Sequence, residues 1–335
     1  VGLQAHDYVQ CGFDRADVII CIGYDMAEYH PQIWHATRDR KIVHIDTRPA
    51  EVDAHYVLAD GAVGDIAVTL DEIARLSSPH RGNDSRDDAM DGGGRATHGA
   101  VADAGGTTSG TKEVERRLEQ PPRATSGAVA GTAAGEIEGL RRMMREELSW
   151  HANDDSVPLK PQRIIRDLRA ALAPDDIVIC DVGAHKLWVA RMYQAEAPNT
   201  CIISNGFASM GIAVPGAIAA KLAFPKRKVV AVTGDAGFLM NSQELETAIR
   251  LHTPLVVLIW TDNSYGLIEW KQQIHYQRTS NVTFGNPDFV KYADSFGAKG
   301  YRIAKAGDLL PTLKQALADD TVSVIDCPVD YRENL

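Results

Sequence analysis

The sequence predicts an α/β protein: two open, doubly wound domains of parallel strands, the first of them partial, joined by a long linker. Three observations predict it. Short apolar runs that mostly end in Gly or Asp alternate with stretches of helical spacing, the pattern of buried parallel strands with helical crossovers. The chain has 335 residues, which suits about two domains. Between the two patterned regions lies a segment without a single Phe, Trp or Tyr.

The first region runs over residues 1–76. Asp17 to Ile22 is an apolar run ending at Gly23, and Lys41 to Asp46 is a second, followed by Arg48-Pro49. A weaker strand is expected around Tyr56 to Leu58, before Asp60-Gly61. Ile66 to Leu76 has helical spacing and closes the unit. Because residue 1 is Val and the strand pattern starts almost at once, the chain reads as a piece of a longer protein.

Residues 77–157 read as a flexible linker. Up to about Gly135 it is rich in Gly, Ser, Thr and Ala and too poor in apolar surface to offset its ordering entropy. Glu136 to Trp150 then reads as a charged amphipathic helix, with Leu140, Met143, Met144 and Leu148 near one stripe.

Residues 158–335 form the second domain. Helices are expected over Pro161–Leu172, Asn241–Leu251, Asp288–Phe296 and Asp308–Leu317. Strands are expected over Asp176–Cys180, Arg227–Thr233, Leu255–Trp260, Ala298–Ile303 and Val322–Cys327. The uncharged stretch Asn199 to Ala220 is interrupted by Gly and Pro and reads as a packed loop and helix rather than a membrane span.

Composition narrows the function. Lys plus Arg is 35 and Asp plus Glu is 45, so the net charge is 35 − 45 = −10. That balance disfavours nucleic acid and anionic membranes as partners. Five Cys without a C-x-x-C fit neither a zinc site nor a disulfide framework, and point to a reducing, cytoplasmic setting.

Ligands of doubly wound sheets bind outside the carboxyl ends of the strands. Three strand ends here carry small or oxygen-bearing residues: Asp181-Val182-Gly183-Ala184-His185, Gly234-Asp235-Ala236-Gly237, and Asp262-Asn263-Ser264-Tyr265-Gly266. A tight turn of small residues exposes backbone N–H groups to phosphate oxygens. A carboxylate in such a turn repels phosphate unless a cation lies between, so Asp235 points to Mg²⁺. Asp262 follows 262 − 235 = 27 residues later, at the end of the next strand, where it would face Asp235 across one metal. Taken alone, Gly-Asp at a strand end is also an ordinary turn.

The pair G-D-A-G-F and D-N-S-Y-G resembles the cofactor motif of thiamine-diphosphate-dependent enzymes. Several further stretches resemble the acetohydroxyacid and acetolactate synthase family: Ile203-Ser204-Asn205-Gly206 through Met210-Gly211 and Pro215, Glu244 to Ala248, Tyr276-Gln277-Arg278, Tyr292 to Ala298, and Pro328-Val329-Asp330-Tyr331. Gly23-Tyr24-Asp25 with Glu28-Tyr29 resembles the central domain of its catabolic, flavin-free branch. The resemblance covers about residues 10–76 and 158–333.

The resemblance implies a partial central domain, a complete diphosphate-binding domain, and a missing N-terminal pyrimidine-binding domain. It implies thiamine diphosphate and Mg²⁺ as cofactors, with FAD not expected. It makes Asp235, Asp262 and the carbonyl of Ser264 the metal ligands. Ala184, His185, Gly234, Ala236 and Gly237 would meet the diphosphate, with Asn263, Tyr265 and Gly266 in the same binding loop. The carbonyl of Ala208 would face the aminopyrimidine, Met210 would lie beneath the thiazolium, and Leu267 would cover it. From the residues alone His185 also reads as a packed or solvated loop histidine, and Met210 as a core residue, a reading compatible with its place beneath the thiazolium.

The implied reaction condenses two pyruvates to 2-acetolactate and CO₂ through a hydroxyethyl-thiamine-diphosphate intermediate, a transferase or lyase chemistry of branched-chain amino acid or acetoin biosynthesis. The implied assembly is a homodimer or homotetramer. The activating Glu belongs to the missing domain, and Glu28, Glu51 and Glu269 do not replace it by position, so the fragment alone is expected to be inactive. Lys271 stands where relatives carry Gln or Trp and reads as a substrate-carboxylate anchor or as a solvated helix cation. Asp46 reads as a strand-terminal turn residue rather than a ribose ligand. The alternatives are another thiamine-diphosphate 2-keto-acid decarboxylase or carboligase, and a truncated, non-catalytic cofactor-binding module.

Overall fold

The computed structural model describes residues 13, 16–24, 30–35, 37–77, 133–205 and 207–332. The expectations for Cys11, Asp25, Glu28, Tyr29, Gly206 and most of the linker lie outside the described residues. The chain divides into two compact units, residues 1–66 with 137–335 and residues 67–136.

The first apolar runs form a parallel sheet in the order β1 (Val18–Ile22), β2 (Lys41–Asp46) and β3 (Leu58–Val63). A short helix α1 (Pro31–Trp34) stands between β1 and β2. Here the weak strand differs from its expected range. It starts at Leu58 and runs through Asp60-Gly61 instead of ending before them. Parallel pairing with β2 carries it onward, and Gly61 fits because a Cβ there would lie 3.2 Å from the His44 carbonyl oxygen. Helix α2 (Ile66–Ser77) follows, and α3 (Ala133–Ser149) begins three residues ahead of the expected Glu136.

The remaining strands build a six-stranded parallel sheet. They are β4 (Ile177–Cys180), β5 (Cys201–Ile203), β6 (Val229–Gly234), β7 (Val256–Thr261), β8 (Lys299–Arg302) and β9 (Ser323–Pro328), in the order β5-β4-β6-β7-β9-β8. The chain steps from β4 outward to β5 and then to the opposite side of β4 with β6. That reversal makes the crevice between β4 and β6 the expected binding place of a doubly wound fold.

Helices α4 (Pro161–Ala171), α5 (Ala184–Met192), α6 (Ala213–Ala223), α7 (Asp235–Met240), α8 (Glu244–Arg250), α9 (Gly266–Tyr276), α10 (Phe289–Ser295) and α11 (Leu309–Ala318) connect the strands. Alternate strand residues feed two cores. Val230, Val232, Leu258 and Trp260 pack with Ile164, Leu168 and Leu313. Val229, Ala231, Val257 and Ile259 pack with Val214, Leu245 and Phe289 on the other face. Burial on both faces is why these strands read as unbroken apolar runs.

Elements without a counterpart among the expected ranges are α1, β5, α5, the six-residue α7 and α9. The residues 199–220 resolve into β5 and the start of α6. Among the described residues no helix is long and apolar enough to cross a membrane. Cys21, Cys180, Cys201 and Cys327 are free thiols.

Candidate functional site

A cavity of about 220 Å³ opens at the carboxyl ends of β4, β6 and β7. Each of its three main walls is a strand end followed by a helix start. Val182, Gly183, Ala184 and His185 come from the β4–α5 turn, Gly234 to Gly237 from the β6–α7 turn, and Asp262 with Ser264 to Ile268 from the β7–α9 turn. Ala208 and Met210 close a fourth side, and Trp260 and Tyr331 complete the lining.

The turns are tight for a stated reason. A Cβ on Gly183 would lie 2.8 Å from His185 Cε1, and one on Gly237 would lie 3.0 Å from Asp181 Oδ2. On Gly266 it would lie 2.8 Å from Asp262 Oδ2. Larger residues at these positions would displace side chains that shape the cavity.

Asp235 is buried at the first position of α7. Its Oδ1 accepts from the Ala236 amide at 2.8 Å, and its Oδ2 accepts from the Asn263 amide and Asn286 Nδ2, both at 2.7 Å. The Asp262 amide is 3.3 Å from the same Oδ2, so the β7 loop folds over the Asp235 carboxylate. Burial pushes the Asp235 carboxyl up against the pull of these donors. Burial and the adjacent Asp235 charge push Asp262 up to about 7. Two half-desolvated carboxylates that repel each other form a site short of positive charge.

A hard divalent cation fits that deficit, with Asp235, Asp262 and the Ser264 carbonyl as oxygen donors. Among the described residues no three His, Cys, Asp or Glu side chains converge on a metal-sized point. A cation here would therefore draw its remaining ligands from backbone, water or phosphate, as Mg²⁺ commonly does.

His185 is buried, and burial lowers its basicity to about 4 despite a hydrogen bond to the Asp181 carbonyl. Its Nε2 has no partner. Neither has Trp260 Nε1 or the buried hydroxyl of Tyr331. The rings form one wall, His185 to Trp260 at 6.3 Å and Trp260 to Tyr331 at 6.2 Å. Two of these atoms, Trp260 Nε1–H and the Tyr331 hydroxyl, are donors and suit a ligand with acceptor oxygens such as a diphosphate, whereas His185 Nε2 becomes a donor only when the ring is protonated.

Thus Ala184, His185, Ala208, Met210, Gly234, Asp235, Ala236, Gly237, Asp262, Ser264, Tyr265, Gly266 and Leu267 meet around one cavity. Asn263 does not line it. It takes a left-handed backbone, φ 59°, and braces Asp235 from behind through its amide, while its side-chain oxygen accepts from Asn286 at 2.9 Å. Lys271 is exposed and lines neither this cavity nor the adjoining one. The adjoining cavity is walled instead by Trp270, Gln273 and Tyr331, and by Glu269, which accepts from the Ser264 hydroxyl. Sequence reasoning missed Trp260, Tyr331 and Asn286. Tyr331 stood inside a quoted family motif, which was the one available signal.

The switch-point crevice, the small-residue turn and the adjacent carboxylates of Asp235 and Asp262 have the chemistry of a site for a phosphate-bearing ligand. Comparison with known proteins specifies the cofactor. Residues 181–327 match the thiamine pyrophosphate enzyme C-terminal TPP binding domain, and residues 1–73 match the thiamine pyrophosphate enzyme central domain. The chain belongs to the thiamine pyrophosphate enzymes and carries their central and C-terminal domains.

An acetolactate synthase of Bacillus subtilis (strain 168) is 34% identical over 322 residues, covering 96% of this chain and 48% of the relative. The catabolic acetolactate synthase of Raoultella terrigena is 36% identical over 321 residues, covering 96% and 49%. A probable acetolactate synthase large subunit of Methanococcus aeolicus is 27% identical over 340 residues, covering 98% and 50%. The chain spans about half the length of these relatives.

Proposed function

We propose that this chain is the cofactor-holding part of an acetolactate synthase that joins two pyruvates with loss of CO₂. The observation that carries the reading is the pairing of buried Asp235 with half-buried Asp262 in the lining of the switch-point cavity, an excess of negative charge that a cation would offset. Asp235, Asp262 and the Ser264 carbonyl would hold Mg²⁺, and the cation would in turn hold the diphosphate against the Gly234–Gly237 turn. Bound thiamine diphosphate supplies the electron sink for decarboxylating a 2-keto acid.

The chain's own residues bind, orient and keep water out. The amides of the 235–237 turn and the unpartnered donors of Trp260 and Tyr331 would meet the anionic end. Ala208, Met210, Leu267 and Ile268 give the cavity apolar lining, which would strengthen every charge interaction inside. Met210 and Leu267 would limit the rotational freedom of a ring held in the cavity before reaction.

The test has two stages. Calorimetry on the 335-residue chain measures thiamine diphosphate binding with and without Mg²⁺; absence of binding in both would remove the reading. Pyruvate is then given to the full-length gene product with both cofactors and no added FAD. Acetolactate formation is the expected result. Tight cofactor binding without that product would move the substrate to another 2-keto acid.

A further inference from the structure

Asp181 stands outside the ligand set described above, yet it touches three of the four cavity walls. It lies at the end of β4, buried to 1% exposure. Its two oxygens both accept from the Gly211 amide, at 2.9 and 3.0 Å. Oδ1 also accepts from the Val182 amide at 2.7 Å, and Oδ2 from the Thr233 hydroxyl at 3.0 Å. Gly237 packs against the same Oδ2.

Gly211 is gripped from the other side as well. Asn241 Nδ2 donates to its carbonyl oxygen at 2.9 Å. The backbone there is left-handed, φ 87°, and a Cβ would meet Asn241 Nδ2 at 2.8 Å. Three residues earlier Ala208 is held at φ 52°, a conformation that costs a non-glycine residue about 1 kcal/mol or more. Such strain persists only where surrounding contacts over-determine the chain. The hydrogen bonds available to do so here are on Gly211, the residue after Met210.

We propose that Asp181, with Asn241, is the positioning residue for Met210: the pair holds the two peptide units that flank Gly211, Asp181 through the Gly211 amide and Asn241 through the Gly211 carbonyl, and so fixes the Ala208–Met210 wall against the cofactor's rings. The proposal rests on the cofactor reading for what Met210 touches, and on geometry alone for the clamp.

Two measurements test it separately. The first is amide hydrogen exchange in the ligand-free 335-residue chain. Asp181→Asn keeps the volume but loses one acceptor, and should speed exchange at Gly211 at least tenfold. Asp319→Asn, which alters a buried carboxylate far along the chain, should leave Gly211 unchanged. The second is calorimetry with two probes in Mg²⁺, thiamine diphosphate and inorganic diphosphate.

Asp181→Asn and Asn241→Ala should each weaken thiamine diphosphate more than tenfold and inorganic diphosphate less than threefold. Asn241→Ala carries the test should Asp181→Asn not fold. Unchanged Gly211 exchange overturns the clamp. Equal loss of both probes overturns the positioning role, because a general loss of structure would not spare the diphosphate. Failure of the wild-type chain to bind either probe removes the cofactor reading and leaves the exchange result to decide the clamp.

Discussion

Two strand ends in this molecule carry nearly the same sequence signal and opposite physics. β2 ends at Asp46, and β6 ends at Gly234-Asp235, each after an apolar run. Asp46 turns back on its own chain. Its Oδ1 accepts from the Thr47 and Arg48 amides at 2.5 and 3.3 Å, and these contacts, the Thr47 hydroxyl first, hold its carboxyl below the usual range. Asp235 is buried, pushed upward, and faces a second carboxylate that is pushed up further. A strand-end Asp is thus a turn residue when it stays solvated beside its own amides, and a ligand-seeking group when burial and a second carboxylate outweigh its donors.

The sharpest break of that comparison is Asp235→Ala against Asp46→Ala. Loss of the Asp235 carboxylate should abolish Mg²⁺-dependent binding of thiamine diphosphate, a weakening of about 100-fold or more, or roughly 3 kcal/mol. Asp235→Asn, which preserves shape, should show a loss of the same sign. Asp46→Ala should leave affinity unchanged in the same calorimetric titration. Equal affinities for all of them would sink the metal assignment.

A smaller effect, of the opposite sign, is expected in stability. At pH 8 without metal, Asp262 is ionised against both burial and Asp235. Asp262→Asn removes that cost and should stabilise the fold by roughly 2 kcal/mol, about half the full penalty of its raised carboxyl. Asp46→Asn loses charge-assisted acceptance from two amides and should destabilise. Urea midpoints in chelator compare the two directly. Added Mg²⁺ should reverse the order at Asp262, because the wild type gains the ion and the Asn variant gains less.

The strand ends were legible in sequence because both faces of the six-stranded sheet are buried, which writes each strand as an apolar run with a clear stop. The pair Asp235 and Asp262 was legible because one strand–helix–strand unit returns the chain to the same edge. What brings Asn286 onto Asp235 was not legible: the two are 51 residues apart and meet through a loop with no regular structure. Trp260 looked like core and is core, yet the same ring lines the cavity. Asn263 shares its motif with Asp262 but faces away, since a left-handed backbone at one residue reverses a side chain in a manner no spacing rule records. The three-residue β5 lies at a sheet edge and offers too short a run to stand out.

His185 extends the contrast from carboxylates to a base, and its effect is the smallest of the three. Burial lowers its basicity to about 4 from a reference of 6.5. Between those values the unfolded chain binds a proton that the folded chain does not, so stability falls as pH falls from about 6.5 toward 4. From pH 7.5 to 5.5 the loss attributable to this group is about 1 kcal/mol. His185→Gln should remove that part of the slope, visible as the difference between wild-type and variant urea midpoints across the window. Parallel curves would mean that the ring takes up its proton in the folded state, and that the unpartnered Nε2 already has an acceptor within reach. A slope that disappears only in the variant identifies a neutral imidazole held dry beside an acidic pair, the state in which a diphosphate could enter and restore its charge.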